Sequence, residues 1–434
     1  MNKVKIKSLL TRIKNTVSIE DTKTYKRVTI KTKNKGIYLR DNKIGREIGT
    51  KNQFIINEGQ FLLSKIDARN GAFGIVPKEL DNAIITGNFW TYEVNKDLLN
   101  IEWFNLFVSS PNFIKICSNA SSGTTNRQYL NEEFFLNYEI DLPSLDEQQK
   151  IIYNYKLSSS KQHDINVLLN TQSDIITKLR ASIITEAITG KLIFNSNESN
   201  NSSLLLDKIK LEKNNLIKNK VIKKNKEIMP INKSEIPFEI PKHWSWARLG
   251  DVVTFADNLN IHSKLDKDDI INYVDIDAID NKNYKIKECK VAKVKELSSR
   301  ARRVLDNGYI VYSLVRPYLN NIAIITDTKK NYIGSTGLVV FKGIHMNDKY
   351  IFYVLLSDYI RDYYLSLIKG FNSPSITQGD FVNTLIPIPP LEEQNYIVHK
   401  IEKIMLLCNE LSNKIELSYE YNENLKVSLM TKYV

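Results

Sequence analysis

Two stretches of this chain alternate spacings of four and three between positions that read as one helical seam. The first runs Ile151, Tyr155, Ser158, Gln162, Ile165, Leu169, Gln172, Ile176, Leu179, Ile183. The second runs Ile397, Ile401, Ile404, Cys408, Leu411, Ile415, Ser418, Asn422, Leu425, Leu429. Steps of four and three keep one face of a helix against a partner, so each run predicts a long coiled-coil helix. A constant offset of 246, that of Leu391 from Leu145, maps the first run onto the second. The same offset maps Ile140-Asp-Leu-Pro143-Ser-Leu145-Asp-Glu147-Gln148-Gln-Lys-Ile151 onto Ile386-Pro-Ile-Pro389-Pro-Leu391-Glu-Glu393-Gln394-Asn-Tyr-Ile397. The chain therefore builds one unit twice. At ~1.5 Å per residue each seam is ~50 Å long. The polar members Gln162, Gln172, Ser418 and Asn422 sit among Ile and Leu, where they set register at some cost in stability.

The remaining pattern is mixed. Strand-like alternation occurs at Arg27-Val-Thr-Ile-Lys-Thr, Gln53-Phe-Ile-Ile, Gly59-Gln-Phe-Leu-Leu-Ser64 and Gly87-Asn-Phe-Trp-Thr-Tyr-Glu-Val. A helix is expected through Ile101-Glu-Trp-Phe-Asn-Leu-Phe-Val, stopped before Pro111. Gly190 is a suitable stop for the first long helix. A polar connector follows at Asn195–Ser203. Leu204 to Ile228, with eight lysines and spaced Leu/Ile, reads as a basic amphipathic helix, either a solvated linker or a phosphate contact. Ile236 opens a second mixed segment, in which Gly308-Tyr-Ile-Val-Tyr-Ser313 repeats Gly59–Ser64. The expected fold is α+β: two mixed α/β domains related by an internal repeat, and two long antiparallel coiled-coil helices. The segments are 1–141, a long helix 142–191, a basic linker 192–235, 236–385, and a long helix 386–434.

Composition narrows the class. Charged residues make up 25% and hydrophobic ones 42%, an ordinary globular balance. No apolar run approaches the ~20 residues a membrane helix needs, and no signal-peptide core follows Met1, so a cytoplasmic protein without membrane partners is expected. Cys117, Cys289 and Cys408 are far apart and lack zinc-ligand spacing; Cys408 falls on the seam, as a small buried thiol. The net charge of +12 favours a polyanionic partner, although Lys/Asn/Ile-rich composition alone also makes chains basic.

Catalytic constellations are sparse. The chain lacks GxxxxGK[ST] and a strand-borne GxGxxG. An Asn/Asp-Pro-Pro-aromatic methyltransferase motif is missing too, because Pro389-Pro390 lies between Ile388 and Leu391. His163, His243, His262, His345 and His399 show no paired spacing. Asp277 with Glu288-Cys-Lys290 matches the acid, gap, Glu-x-Lys order of a metal-dependent nuclease, an alternative weakened by the common chance occurrence of ExK and by its absence from the first half.

Binding loops read better. Lys65-Ile-Asp-Ala-Arg69-Asn70 and Leu314-Val-Arg316-Pro-Tyr318-Leu-Asn320-Asn321 follow equivalent strand ends, the second beginning after Ser313. Arg pairs bidentately with guanine, Asn with adenine, and Tyr stacks or bonds phosphate. Ser299-Arg300-Ala-Arg302-Arg303 is a basic cluster suited to phosphates. Two small-residue loops supply close-approach donors: one with Thr124, Thr125 and Arg127, the other with Asn372, Ser373, Ser375 and Gln378. Each alone also fits an ordinary surface turn; their recurrence at corresponding places in a basic chain favours DNA.

At these residues the chain resembles the specificity subunit of type I restriction-modification systems over nearly its whole length. The resemblance is carried by the doubled Pro-x-Leu-x-Glu-Gln-x-x-Ile and by Lys178-Leu-Arg-Ala-Ser-Ile with Gly190-Lys-Leu. Further matches are Ile240-Pro-Lys-His-Trp-Ser-Trp-Ala-Arg-Leu-Gly-Asp and Ser299-Arg-Ala-Arg-Arg with Val315-Arg-Pro-Tyr-Leu-Asn-Asn-Ile-Ala. The first half lacks the Trp-rich opener and the Arg-Pro-Tyr string, so its membership rests on position and repeat. The resemblance implies two target recognition domains, each reading half of a bipartite double-stranded DNA site. The helices would hold them apart about a pseudo-twofold. It also implies partners: two modification subunits that bind S-adenosylmethionine and methylate adenine N6, and restriction (endonuclease/translocase) subunits. S-adenosylmethionine, ATP and Mg²⁺ are expected on those partners and no cofactor on this chain. A modification-only system fits the same residues.

Overall fold

In the computed structural model, residues 2–124, 127–192, 201–223, 228–326, 332–369 and 373–433 are described. The chain divides into two units, Met1–Thr171 with Ile415–Val434, and Gln172–Lys414. Each long helix, Leu145–Ile188 and Leu391–Tyr433, contributes a part to both units.

Unit 1 opens with strand Asn2–Lys5, which pairs antiparallel with Glu139–Leu142 in register Val4↔Ile140. A four-stranded sheet follows in the order Leu10–Ile13, Phe89–Val94, Phe61–Ser64, Phe73–Ile75. Its apolar side meets helices Ile101–Val108 and Pro111–Asn119 around an aromatic cluster in which Phe73 and Phe113 stand edge to face, centroids 4.9 Å apart. Pro111 both ends the first of these helices and starts the second, at the position where its missing N–H costs nothing. A five-stranded sheet contains the strands Thr16–Ser18, Asn52–Ile56, Ala83–Ile85, Thr24–Lys31 and Gly36–Ile44 in that order.

Unit 2 repeats the plan. Ser245–Arg248 pairs with Leu385–Ile388 in register Ala247↔Ile386. The equivalent four-stranded sheet runs Val253–Phe255, Leu338–Gly343, Ile310–Ser313, Ile322–Ile324. Helices Asp348–Leu355 and Asp358–Leu367 cover it, as Ile101–Val108 and Pro111–Asn119 do in unit 1. Even the caps recur. Asn100 and Asn347 accept from the second and third amides of their helices, and Ser110 and Ser357 from the third of theirs. The second sheets differ: here Lys290–Lys293, Ile270–Val274, Tyr332–Ser335 and Ala301–Leu305 make four strands.

The basic helix is shorter than its sequence suggests. It spans Ser202–Lys218, closing where Lys220 takes a left-handed φ of 56°, so Ile228 lies beyond it. It is docked rather than solvated on all sides: Leu205 and Ile209 are buried in the unit 2 core, and the Lys213 ammonium donates to the carbonyls of Gly250 and Val253.

The helix pair is antiparallel in each unit, but its seam departs from the expected one. In unit 1 the buried positions are Gln162 and Leu169 opposite Ile415 and Asn422; Gln162 Nε2 donates to the Asn422 carbonyl and Asn422 Nδ2 to Asn166 Oδ1, at 3.4 and 2.9 Å. In unit 2 they are Ile176 and Ile183 with Ile397, Ile401 and Cys408, and Arg180 donates to Ser412. Ile151 and Ile404 are half-buried against their cores. Ile165, Leu179, Leu411 and Leu425, expected inside, are 41%, 44%, 48% and 48% exposed. The side chain of Leu429 lies outside the described residues. The correction has a physical cause. Between layers seven apart, cross-helix bonds are made by Asn166, Arg180, Ser412 and Tyr419, four residues on rather than three, and with these inside the neighbouring Ile165, Leu179 and Leu411 face outward.

Candidate nucleic-acid interface

In both units the loop leaving the central strand lies against the small-residue segment ahead of a short helix, Glu132–Asn137 in unit 1 and Gln378–Val382 in unit 2. Leu130 N–H donates to the Lys65 carbonyl at 2.8 Å, and Ile376 N–H donates to the Leu314 carbonyl at 3.0 Å. Positions some sixty residues apart in sequence thus form one platform, twice.

On the unit 1 platform, Phe61–Ser64 ends at a one-turn 3₁₀ helix, Ala68–Asn70. Ser64 is buried, and its hydroxyl accepts from the Asp67 amide, which shapes the turn. Arg69 Nη1 donates to Gln128 Oε1 at 2.6 Å, tying the turn to the hairpin Ser121–Thr124/Arg127–Leu130. Lys65 and Arg12 both lie over the Trp90 ring, 5.4 and 5.2 Å from its centroid. Arg12 is also paired with Glu132 at 3.0 Å. Asn70 is exposed and donates to Asp67. Thr125 and the side chains of Thr124 and Arg127 lie outside the described residues.

On the unit 2 platform, Arg316 is exposed at a left-handed φ of 48°, its amide donating to the Pro374 carbonyl at 2.8 Å. Such a φ is strained for a non-glycine residue, and strain of this kind gathers at binding sites. Tyr318 and Asn320 are half-buried; Asn320 also has positive φ, and its buried side-chain oxygen lacks a partner among the described residues. Ser373 and Gln378 are exposed, Ser375 exchanges backbone bonds with Lys369, and Asn372 lies outside the described residues.

Two expectations are corrected here. Ser313 is 1% exposed, and its hydroxyl donates to the Val315 carbonyl and accepts from the Val315 amide; it builds the loop rather than facing a ligand. The cluster Arg300, Arg302, Arg303 is divided, because adjacent residues of strand Ala301–Leu305 face opposite ways. Arg300 and Arg302 are exposed, whereas Arg303 is half-buried, donates to Gln378 Oε1 at 3.1 Å, and is pulled below its ordinary pKa by desolvation. Arg12 and Gln128 were missed. Gln128 sits inside the small-residue segment already noted; nothing in the sequence marks Arg12. Among the described residues no group of three His, Cys, Asp or Glu is arranged to hold a metal ion. Among the same residues no helix is long and apolar enough to cross a membrane.

The family described as type I restriction modification DNA specificity domain matches residues 1–155 and 241–418, one segment in each half. The chain belongs to that family. The specificity subunit of the type I restriction enzyme EcoAI from Escherichia coli is 26% identical, over 73% of this chain and 61% of that protein. The chain therefore spans about three fifths of that relative's length. The HsdS subunit from Thermoanaerobacter tengcongensis shares the fold at a TM-score of 0.59 and 16% identity, covering 100% of this chain and 96% of that one. A structure described as explaining complex assembly and conformational transition of the type I R-M system shares it at 0.63 and 15%, covering 100% and 97%. Each specificity-domain match contains one two-loop platform. Membership of that family does not favour the Asp277, Glu288 and Lys290 nuclease reading.

Proposed function

We propose that this chain is the sequence-specific DNA-binding subunit of a cytoplasmic type I restriction-modification complex. It reads a bipartite double-stranded target and scaffolds modification (adenine methyltransferase) and restriction subunits. The observation that carries the reading is the platform built twice, each with an Arg in a pinned loop beside a small-residue segment. Each unit takes one half-site. Lys65, Arg69, Asn70, Arg300, Arg302, Arg316, Tyr318 and Asn320 supply base and phosphate contacts in a chain of net charge +12.

Partner docking is supported by the apolar residues turned outward from the helix seam. In unit 1 these include Ile165, Leu168, Leu417 and Leu425; in unit 2, Ile175, Leu179, Leu407 and Leu411. Rows of exposed Ile and Leu on paired helices suit further helices packing against them. S-adenosylmethionine, ATP and Mg²⁺ chemistry belongs to those partners.

Methylome sequencing of cells carrying this chain and its modification partner tests the reading. The expected result is one bipartite motif methylated at adenine N6. Replacing unit 1 residues 1–141 with a relative's segment should change one half of that motif only. Methylation at a continuous motif, or one that ignores the replacement, would overturn it.

A further inference from the structure

We infer that the hairpin joining strands Thr24–Lys31 and Gly36–Ile44 is a phosphate-gripping element of unit 1, set beside its reading loop; this rests on the DNA-reading function proposed above. Residues 31–40 read Lys-Thr-Lys-Asn-Lys-Gly-Ile-Tyr-Leu-Arg, four cations and no carboxylate. Lys31, Lys33, Lys35 and Arg40 are all exposed, and none belongs to an ion pair among the described residues. The base of the hairpin contrasts with the tip. There Arg27 holds Asp41 through two bonds of 2.6 and 2.5 Å, keeping the Asp41 carboxyl below its ordinary pKa.

A run of lysines is most often a solvated face, but this one is fastened in place. Lys33 N–H donates to the Asn70 carbonyl at 2.7 Å, and Asn34 N–H to the Gly71 carbonyl at 3.0 Å. The Asn34 side chain donates to the Ser109 carbonyl at 2.9 Å. Gly71 makes the approach possible, since a Cβ there would stand 2.8 Å from Asn34 N. Below the tip, Val28 and Ile37 are buried in the core. Lys33 and Asn34 both keep left-handed φ values, 61° and 55°. A lysine held in that conformation is strained and persists only because the surrounding contacts fix it.

Like charges gathered on a rigid tip repel one another, and a polyanion relieves that repulsion. Ammonium groups are point charges that suit phosphate oxygens rather than the bidentate pattern of a base. Two-stranded ribbons also fit a DNA groove. The tip touches the very loop that carries Arg69 and Asn70, so a duplex on that loop brings its backbone to the lysines. The small hairpin of unit 2, Ile279–Asp280 with Lys285–Ile286, carries mixed charges. Among the described residues the element belongs to unit 1, the half that lacks the Arg-Pro-Tyr string.

The test uses the full chain in complex with its modification partner and measures duplex affinity across a salt series. Three variants are compared with wild type: Lys31→Gln/Lys33→Gln/Lys35→Gln, the same positions changed to Arg, and Lys35→Gln alone. Each ammonium on a phosphate contributes ~0.9 to the slope of log affinity against log salt. The triple Gln variant should lower the slope by about 2–3, Lys35→Gln by about 1, and the Arg variant should keep it. The methylated sequence should not change. A wild-type slope that is steep and unaltered in the Gln variants would overturn the hairpin's role alone. Loss of the modification partner from the complex, with DNA slope retained, would reassign the tip to a protein contact. Wild-type affinity that ignores salt would overturn both this inference and the DNA-reading function beneath it.

Discussion

Glu102 and Lys349 occupy equivalent positions on equivalent helices and carry opposite charges. Glu102 pairs with Lys156 at 2.7 Å, and Lys349 pairs with Glu402 at 2.5 Å. Lys156 and Glu402 are themselves related by the 246-residue offset of the repeat. The ion pair has been kept in each unit while its polarity is reversed. Each recognition segment therefore matches the charge of its own long helix and mismatches that of the other.

The reversed polarity makes a charge-swap prediction. Lys156→Glu should destabilise unit 1 by up to about 1 kcal/mol, because both partners are more than half exposed and exposed pairs are weak. Adding Glu102→Lys in the same chain should restore most of it, reproducing the unit 2 arrangement. Denaturant unfolding of the four members of the cycle, at low and high salt, reads the coupling. A coupling of zero at low salt would leave the reversal without energetic meaning.

Gln148 and Gln394 should matter more. Both are fully buried. Gln148 accepts from the Asn100 amide and donates to the Leu98 and Pro143 carbonyls, at 2.7, 2.9 and 2.9 Å. Gln394 accepts from the Asn347 amide and donates to the Pro389 carbonyl, at 3.0 and 2.9 Å. Changing either to Ala strands buried polar groups, each worth about 1–3 kcal/mol. A loss of about 2–4 kcal/mol per site is expected from equilibrium unfolding. A loss below half of one kcal/mol would show that water takes over these bonds.

Arg316→Ala should blur one half of the methylated motif and leave the other intact. A bidentate base contact is worth about 1–3 kcal/mol of discrimination. The exposed, left-handed backbone of Arg316 presents the side chain without an ion-pair partner among the described residues. Methylation kinetics on duplexes with single substitutions in each half-site provide the measurement. Equal slowing on every duplex would make Arg316 a phosphate anchor.

What could be read before folding was whatever is periodic or repeated. The seven-residue recurrence, the Pro breaks ahead of Leu145 and Leu391, and the central strands ending in Ser64 and Ser313 all follow from local rules. Hydrophobic spacing, proline's missing amide and turn glycines act within a few residues, so sequence displays them directly. The buried thiol of Cys408 was visible in the same way.

Other features wait on contacts that close across long separations. Two examples are the clasp in which the Trp244 indole N–H donates to Glu393 at 2.9 Å, and the stripping of Ser313 from the ligand surface. In unit 1 the matching Glu147 instead accepts from the Ser144 amide at 2.8 Å, although the two motifs read alike. Seam rotation is decided similarly: a helix of 3.6 residues per turn leaves positions three and four apart almost equally able to face a partner. The cross-helix bonds of Asn166, Arg180 and Ser412 settle which does. A sequence records spacing along the chain; which polar group meets which depends on distances that exist only once the units are packed.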